Sequence, residues 1–308
     1  MIKPLLVNSK YILNDTFDFI NKLSKVNFAG MYMVSFDVES LFTNIPLEET
    51  IDILCKIIFD TAKTFHGFTE NQFRKLLKKA TKESHFQFID MVFDQIDGMA
   101  MGNPLSPTFA NFFMNWFECK YMKEFEALGV VTWFRYVDDT FVLIKDLKVV
   151  DQLLNLLNSK HKNIKFTCEI EKNKKLAFLD VLVNRKKGGF ITTMYRKPTF
   201  TGVYLHWKSL TAVVYKINLI KCLLDRAWKI CSNYELFHQE ILLLKEVLKK
   251  NDYPSSVIDK QIDKFLNKKL IQLPPKTNEL TPKKKIYLVL PYFNDKMDDF
   301  TKTYRFNI

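Results

Sequence analysis

Two adjacent carboxylates lie between two strand-forming runs in residues 131–144, Val131-Thr132-Trp133-Phe134-Arg135-Tyr136-Val137-Asp138-Asp139-Thr140-Phe141-Val142-Leu143-Ile144. Both runs are rich in β-branched and aromatic residues, so they predict a hairpin with Asp138 and Asp139 at its tip. Adjacent acids repel each other unless a positive charge lies between them, and a divalent cation commonly supplies that charge. An ordinary polar turn is the alternative interpretation, because Asp is frequent in turns.

The overall charge favours a nucleic-acid partner. The 308 residues include 46 Lys and Arg against 34 Asp and Glu, which gives a formal net charge of +12. A surplus of this size favours a polyanion, nucleic acid before membrane, although a merely soluble basic protein would show it too. Gly is scarce at 8 residues, and neither a G-x-G-x-x-G nor a Walker pattern occurs, which argues against a Gly-rich phosphate loop.

Cysteine usage and hydropathy indicate a reducing, intracellular compartment with no membrane partner. The cysteines are scattered without a C-x-x-C pair, so the sequence suggests neither a zinc site nor a disulfide framework. No run of about 18 apolar residues is present, which argues against a transmembrane helix. Residues 1–10 are too short and polar for a signal peptide, so no targeting signal is evident.

Hydrophobic periodicity predicts an α+β block over residues 1–200 and a helical block over residues 201–272. The helical pattern breaks at Pro254, and residues 273–308 form a linker and C-terminal extension with one more predicted strand, Ile286–Leu290. With 47% hydrophobic residues, the chain can bury a core in one large or two modest domains. In the first block the predicted helices are 15–26, 46–59, 69–81, 108–128 and 147–159, and the predicted strands are 31–36, a pair within 85–97, 131–135, 140–144, 165–169, 177–184 and 190–196.

A third carboxylate, Asp37, ends a predicted strand, Met31-Tyr32-Met33-Val34-Ser35-Phe36. If that strand neighbours the acidic hairpin in one sheet, three carboxylates meet at a single edge. Two divalent ions held there could serve phosphoryl transfer, one activating an attacking hydroxyl and the other stabilising the leaving oxygen. Mg²⁺ suits this role because it prefers a few carboxylates together with substrate phosphates.

A loop punctuated by Gly and Pro, Gly98-Met99-Ala100-Met101-Gly102-Asn103-Pro104-Leu105-Ser106-Pro107, precedes the long predicted helix 108–128. Because Gly lacks a side chain, such a loop can approach a nucleotide or a template closely. A plain helix-initiating loop is the alternative interpretation.

Three ordered stretches resemble palm motifs A, B and C of reverse transcriptases: Ser35-Phe36-Asp37-Val38-Glu39-Ser40-Leu41-Phe42-Thr43-Asn44-Ile45-Pro46, then Met101-Gly102-Asn103-Pro104-Leu105-Ser106-Pro107, then Tyr136-Val137-Asp138-Asp139. The pattern is similar to that of the Penelope-like retroelements, which are relatives of telomerase reverse transcriptase. Residues 176–183, 195–199 and 226–231 also resemble this branch, and the resemblance runs from about residue 5 to about residue 295.

The resemblance implies a right-hand polymerase palm, an antiparallel sheet with packed helices, followed by an all-helical thumb. It implies the RNA-directed DNA polymerase of a retrotransposon, which acts in the nucleus on an RNA template, a DNA primer and deoxynucleoside triphosphates. Mg²⁺, or Mn²⁺ in its place, is the implied cofactor. Asp37, Asp138 and Asp139 are implied to bind the metal ions and carry the catalysis, with Asp139 the less directly ligated.

The resemblance also implies residues that bind the substrates. Phe42 matches the position that screens the nucleotide 2′ position, with a place in the core as the alternative. The nucleotide pocket is assigned to Met101, Gly102 and Pro104, with Met101 standing where many reverse transcriptases carry Gln. The primer–template backbone is assigned to Tyr195, Arg196 and Lys197. Two further pairs have weaker assignments: Lys174 and Lys175 as proton donors to pyrophosphate or merely solvated, and His206 and Trp207 as primer–template contacts or core.

The sequence departs from the family at both ends. Only the tail of the fingers region precedes Asp37, and no GIY-YIG endonuclease motif occurs, so we expect a palm and thumb from a longer element. Two other functions stay open, an inactive remnant that only binds nucleic acid and a helix-turn-helix-like DNA-binding module within residues 208–270. Against the module, no short turn containing Gly joins its helices.

Overall fold

The computed structural model describes residues 9–26, 30–60, 62–82, 85–96, 98–186 and 188–270. The chain divides into two compact units, the first ending at Ile191 and the second beginning at Thr192. The division precedes the boundary expected after residue 200. The predicted extension 273–308, with its strand Ile286–Leu290, lies outside the described residues.

The first unit has the predicted α+β architecture. Its helices are α1 (Thr16–Leu23), α2 (Leu41–Asn44), α3 (Leu47–Phe59), α4 (Glu70–Lys82), α5 (Ser106–Ala127) and α6 (Val150–Ser159), the last preceded by a 3₁₀ turn, Leu147–Val149. Its strands are β1 (Tyr32–Val38), β2 (His85–Phe88), β3 (Met91–Asp94), β4 (Val130–Tyr136), β5 (Asp139–Ile144), β6 (Phe166–Ile170), β7 (Lys175–Phe178) and β8 (Val181–Lys186), and β9 (Gly189–Met194) runs through the division between the units.

A four-stranded antiparallel sheet, in the order β4-β5-β1-β6, forms the centre of the first unit. Side chains alternate between the two faces along each strand. On one face Val34, Phe36 and Val142 join the main core together with side chains of α3, α5 and α6. The acidic hairpin and the Asp37 strand are therefore backed by the largest apolar cluster of this unit.

Helix α5 supplies much of that cluster through phenylalanines. Phe109, Phe113 and Phe117 recur every fourth residue, and Phe125 continues the same face, so the four rings lie along one side of the helix. All four are fully buried. Phe125 stacks on Trp133 of β4 with ring centroids 5.5 Å apart, which joins the helix to the sheet.

Residues 177–184 were predicted as one strand, and this prediction is wrong. The structure has two strands, β7 and β8, joined by a tight turn at Leu179 and Asp180. Leu179 has a φ of 55°, and the Asp180 carboxylate accepts a hydrogen bond of 2.7 Å from the Thr16 hydroxyl of α1. Apolar residues on both sides of Asp180 conceal this turn from periodicity, because Phe178 and Val181 are both buried.

The second unit contains a bundle of three helices, α7 (Val213–Ile230), α8 (Tyr234–Lys250) and α9 (Ser255–Leu270). Its core includes Ile220, Leu224, Phe237, Ile241 and Ile258. The break at Pro254 is present as predicted, but the helices begin at Val213 rather than at residue 201, and a second break at residues 231–233 was not predicted. Across the described ranges, no helix combines the length and apolar character needed to cross a membrane.

Candidate active site

Asp37 and Asp139 lie directly opposite each other on the neighbouring antiparallel strands β1 and β5. Directly opposed residues project from the same face of a sheet, with Cβ atoms about 4.5–5.5 Å apart. Asp37 is exposed and Asp139 is half-buried. The sheet therefore meets the condition on which the sequence argument depended, that the Asp37 strand neighbours the acidic hairpin, and two carboxylates share one end of the sheet.

Aromatic rings cover the same face two residues further along the strands. There Ser35 pairs with Phe141, whose ring packs against Phe19 of α1 and Phe178 of β7 at centroid distances of 5.0 and 5.6 Å. Phe19 and Phe178 are themselves 4.7 Å apart. The cluster stops short of Asp37 and Asp139, and Asp37 is exposed at that end of the face.

Asp138 lies in the two-residue turn that joins β4 to β5, as the hairpin prediction required. The first turn residue, Val137, has a φ of 56°, a left-handed conformation that β-branched residues rarely adopt. The Asp138 carbonyl accepts a hydrogen bond of 3.3 Å from the Val38 amide, next to Asp37. The third acid is thus attached to the strand that carries the first.

A buried polar network lies beneath this turn. The guanidinium of Arg135 binds both carboxylate oxygens of Glu118 on α5, Nε to Oε1 at 2.6 Å and Nη2 to Oε2 at 3.1 Å. Its Nη1 donates to the Asn111 side chain and to the Val137 carbonyl, each at 2.9 Å. The Trp133 indole also donates to Glu118, at 2.8 Å. Our sequence interpretation missed this network, although strand alternation places Arg135 on the buried face with Trp133.

Backbone contacts join α2, the helix that follows Asp37, to the loop of residues 98–107. The Met99 amide donates to the Phe42 carbonyl at 2.7 Å. Gly98 lies against Thr43 of α2, and a Cβ atom on Gly98 would come within 2.2 Å of the Thr43 carbonyl oxygen. These contacts hold together two stretches that the sequence analysis assigned to one pocket.

The remainder of the loop is folded by its own polar groups. The Asn103 side chain accepts a hydrogen bond from the Leu105 amide at 2.9 Å and donates to the Ala80 carbonyl of α4 at 3.0 Å. Ser106 is buried at the start of α5, and its hydroxyl donates to the Ala100 carbonyl at 2.7 Å. The loop therefore enters the helix in a defined conformation.

The predicted nucleotide-pocket residues project from this loop into solvent. Met101 is 78% exposed, Pro104 is exposed, and Gly102, with a φ of 98°, has open space around it. Phe42 is half-buried and packs against the main core. Its ring therefore has both a core contact and an accessible edge.

The structure also places the weaker assignments. Lys174 and Lys175 are exposed, Lys174 within a turn and Lys175 at the start of β7. In the second unit His206 is exposed, whereas Trp207 is half-buried against Tyr253 with ring centroids 5.2 Å apart. Trp207 therefore packs against the apolar core of the second unit.

Arg196, one of the predicted primer–template contacts, is engaged within the second unit. Both its terminal nitrogens bind the Glu240 carboxylate, with Nη1 to Oε2 at 2.9 Å, and this hydrogen bonding raises the pKa of Arg196. Tyr195 is half-buried and Lys197 is exposed. Of the three predicted residues, Lys197 presents its charge most openly.

The carboxylate oxygens of these acids are the kind of ligand that a hard cation such as Mg²⁺ prefers. In the described part of the chain, no three or more His, Cys, Asp or Glu side chains form a group that could hold a metal ion. Mg²⁺ is usually bound by one or two carboxylates together with substrate phosphates rather than by an all-protein cage. The opposed pair of Asp37 and Asp139 fits an ion of that kind.

The sequence matches the family described as "Reverse transcriptase (RNA-dependent DNA polymerase)" over residues 10–205, well over half of the chain. The chain belongs to the reverse transcriptase family. The match includes Asp37, the loop from Gly98 to Pro107 and the acidic hairpin, which are the features that the fold brings together. No curated protein matches this reverse transcriptase.

A solved telomerase shares the fold of this reverse transcriptase. A telomerase from Candida albicans, in complex with a fragment of telomeric RNA, has a TM-score of 0.57 and 13% identity, covering 84% of this chain and 48% of its own. A Candida tropicalis telomerase with RNA (TM-score 0.48, 15% identity) covers 87% and 46%, and the Sicinivirus 3Dpol RNA-dependent RNA polymerase (0.47, 10%) covers 80% and 53%. The α+β unit with its antiparallel sheet is thus a polymerase palm with a helical region after it, and the chain spans about half the length of these proteins.

The second unit of the reverse transcriptase carries another likeness, because residues 203–263 match an "Animal helix-turn-helix domain". Short turns join its helices, residues 231–233 between α7 and α8 and residues 251–254 between α8 and α9. Neither turn contains Gly, but Asp252 adopts a φ of 62°, the left-handed conformation for which Gly is usually needed. The lack of Gly, which we took as an argument against such a module, is therefore a wrong criterion.

Asn251, which the sequence analysis also missed, organises this turn. The residue is buried, and its amide nitrogen donates to the Gly202 carbonyl and to a carbonyl of α8, each at 2.8 Å. Its side-chain oxygen accepts from the Tyr204 amide at 2.9 Å, and its backbone carbonyl accepts from the Trp207 amide at 3.0 Å. Asn251 thus fixes the segment before α7 to the turn between α8 and α9.

A basic groove of about 500 Å³ lies between α7 and α9. Its lining includes four lysines, Lys221, Lys264, Lys268 and Lys269, together with Phe265 and Asp225. The Asp225 carboxylate binds Lys229 at 2.6 Å and Lys269 at 3.4 Å, and hydrogen bonding from Lys229 lowers the pKa of Asp225. The groove combines excess positive charge with an aromatic ring, which suits phosphates and bases.

Proposed function

We propose that the chain is an RNA-directed DNA polymerase that adds deoxynucleotides to the 3′ end of a DNA strand paired with an RNA template. The observation that carries the proposal is the opposition of Asp37 and Asp139 at the open end of the palm sheet, beside the turn that holds Asp138. Enzymes catalyse phosphoryl transfer chiefly by positioning and electrostatic stabilisation. Metal ions held by carboxylates at an open sheet end would contact both a triphosphate and a 3′ hydroxyl.

Asp37 and Asp139, with Asp138 in the adjoining turn, would hold Mg²⁺ or Mn²⁺. When bound, such ions supply charge stabilisation to the phosphates and make the attacking hydroxyl more acidic. The protein supplies the rest. The rings of Phe19, Phe141 and Phe178 exclude water from the covered part of the face.

We assign nucleotide selection to Phe42 and the exposed loop residues Met101, Gly102 and Pro104. The Phe42 carbonyl is fixed by the Met99 amide, so the ring is carried by a backbone that cannot swing freely. An aromatic ring beside the end of the Asp37 strand would clash with a ribose 2′ hydroxyl and favour deoxynucleotides. The loop residues would contact the incoming nucleotide and the template base.

We assign primer–template contacts to the second unit. Lys197 is exposed and suits a phosphate, while Arg196, paired with Glu240, orders the segment that includes Tyr195 and Lys197. The lysines of the α7–α9 groove extend the basic surface. Binding that relies on such contacts weakens steeply with salt, because each neutralised phosphate releases a counterion.

We place the chain in the Penelope-like branch of retrotransposon polymerases, with the nucleus as its site of action. Support for the branch comes from residues 176–183, 195–199 and 226–231, which lie on β7–β8, after β9 and at the C-terminal end of α7. The helix-turn-helix likeness over residues 203–263 agrees with a chain that works on DNA.

A primer-extension assay tests the polymerase proposal. Purified chain is given an RNA template, an annealed DNA primer and deoxynucleotides with Mg²⁺ or Mn²⁺, and we expect template-dependent extension that Asp138→Asn abolishes. Asp90→Asn is the matched control, because Asp90 also lies in a two-residue hairpin turn, between β2 and β3. Primer extension by the Asp138→Asn variant would refute the proposal. So would a lack of extension by the unsubstituted chain with either metal.

A second candidate function is DNA binding by the second unit without catalysis, which the match to the animal helix-turn-helix domain favours. Lys264→Glu with Lys268→Glu should then weaken binding of duplex DNA, whereas Lys249→Glu with Lys250→Glu, at the end of α8, should weaken it less. Removal of Asp37 and Asp139 should leave this binding unchanged. The polymerase proposal instead expects tighter binding to an RNA–DNA hybrid with a recessed 3′ end.

A further inference from the structure

The acidic turn is held in an unfavourable backbone conformation. Val137 has a φ of 56°, and such strain persists only where the surrounding structure over-determines it. Two hydrogen bonds do so here. The Val38 amide holds the Asp138 carbonyl at 3.3 Å, and the Arg135 guanidinium holds the Val137 carbonyl at 2.9 Å.

The bond from Arg135 to the turn is separate from its ion pair. Nε and Nη2 satisfy Glu118, which leaves Nη1 for Asn111 and the Val137 carbonyl. Arg135 and Glu118 are both 0% exposed. A buried ion pair is a weak source of stability, because apolar residues of similar volume often serve as well or better. The function of the pair is therefore better sought in what Nη1 holds.

The partners of Arg135 place this contact in the site. Glu118 and Asn111 lie two turns apart on α5, so both face the same strand. The first turn of α5 follows directly on the loop that carries Met101 and Pro104. Arg135 thus links the acidic turn to the helix that begins at the nucleotide-pocket loop.

We propose that Arg135 is a positioning residue. Held by Glu118 and Asn111, its Nη1 fixes the Val137 carbonyl and so sets the acidic turn at a defined place relative to α5 and the loop before it. The inference rests on the proposed function for the reaction that the turn serves. A catalytic group displaced by 1 Å can lose about 100-fold in rate, so a bond that fixes the turn matters to turnover.

The test is a double substitution, Arg135→Met with Glu118→Leu, which removes both buried charges and approximately keeps their volume. We expect the variant to fold with a lower urea midpoint of unfolding, because Glu118→Leu also leaves the buried Trp133 indole without its acceptor. Amide hydrogen exchange in peptides covering residues 136–140 should become about tenfold faster, because the strained turn opens more often. Single-nucleotide insertion should lose about 100-fold in kcat with little change in KM, because positioning rather than substrate binding is lost.

The matched control is Arg185→Met with Glu171→Leu, which removes a second Arg–Glu pair of the first unit, one in which both carboxylate oxygens accept from the arginine. It should leave the turn peptides unchanged. Where the double variant at Arg135 fails to fold, Arg135→Lys retains a charge for Glu118 but lacks the planar fork that reaches acceptors on three residues. It should show the same acceleration at the turn.

The outcomes separate this inference from the polymerase proposal. A folded variant with unchanged exchange at the turn and unchanged kcat would overturn the positioning role. If the unsubstituted chain extends no primer, the exchange measurement decides alone, since faster exchange confined to the turn supports the role of Arg135 while the polymerase proposal fails. A general rise in exchange along β4 and α5 would mark Arg135 as merely structural.

Discussion

Gly98 and Thr43 are in such close contact that a Cβ atom on Gly98 would lie 2.2 Å from the Thr43 carbonyl oxygen. Gly98 also has a φ of 74°, which other residues adopt at a cost. Gly102, four residues further along the same loop, has a φ of 98° but open space where a Cβ would be. The two glycines thus separate the cost of the backbone angle from the cost of the clash.

Gly98→Ala should therefore destabilise the chain more than Gly102→Ala. The left-handed angle alone costs about 1–2 kcal/mol for a residue with a side chain, and that loss is expected at both positions. Overpacking against Thr43 should add about 1–3 kcal/mol at Gly98 only. Urea unfolding of both variants measures the difference, and equal losses would show that the α2 backbone yields without cost.

Asp37→Asn and Asp139→Asn should each abolish primer extension and leave the fold intact. The two carboxylates are directly opposed, and like charges in that arrangement are destabilising, each such pair by about 0.2–1 kcal/mol. Removal of one charge should therefore not lower the unfolding midpoint. Thermal unfolding followed by circular dichroism checks this, and a large loss of stability would assign the acids a structural role.

Phe42→Val should raise the insertion of ribonucleotides relative to deoxynucleotides. The smaller side chain removes the ring that we place against the ribose 2′ hydroxyl, and pocket contacts of this size discriminate by about 10–200-fold. Phe65→Val is the control, because Phe65 is also half-buried against the main core. Both variants should lose some stability, and a shift in sugar selectivity with Phe65→Val would contradict the assignment to Phe42.

Asn251→Ala should destabilise the second unit severely. The substitution leaves the Gly202 carbonyl and the Tyr204 amide without their partner, and each buried polar group left unsatisfied costs about 1–3 kcal/mol. Asn233→Ala removes a single capping bond to the Leu236 amide and should cost about 1 kcal/mol. Differential scanning calorimetry compares the two, and a similar loss for both would deny Asn251 its central role.

The ion pairs of Asp225 should make a small, pH-dependent contribution to stability. Lys229, followed by Lys269, lowers the pKa of Asp225 below its usual value of 3.8, so the folded chain favours the charged form. This stability is present above the unfolded pKa and is lost as pH falls through the lower folded pKa. Because the groups are partly exposed, the difference between the unsubstituted chain and Asp225→Asn should be below about 1 kcal/mol at pH 7. Urea unfolding at pH 7 and below pH 3 should show the difference shrinking, and a constant difference would exclude the ionic origin.

The parts of the fold that depend on local pattern were predictable. The acidic hairpin follows from two strand-forming runs around a polar pair, and the break at Pro254 follows from the chemistry of Pro. The adjacency of β1 and β5 was only a condition of the sequence argument, yet an acid at the end of each strand made it the natural arrangement. The order of the three motifs along the chain then indicated the reverse transcriptase family.

Contacts between distant side chains were not predictable in the same way. Arg135 reads as one polar residue in a strand, and nothing local shows that Glu118 and Asn111 on α5 will enclose it. Asn251 reads as a loop residue, whereas its side chain binds both the segment before α7 and the last turns of α8. The turn at Leu179 escaped notice because an apolar residue occupies a position where a turn-forming residue is usual.

The opposition of Asp37 and Asp139 has a further consequence for how the site can change. A strand shifts against its neighbour only in whole residues, and a single step turns every side chain to the other face. Such a step in β1 would bring Phe36 and Val38, each 1% exposed, out of the core. The distance between the two carboxylates can therefore change only in steps of a whole residue, and core packing permits only the observed register. A substitution can remove one of the two acids, but a gradual shift of the strand cannot change the distance between them.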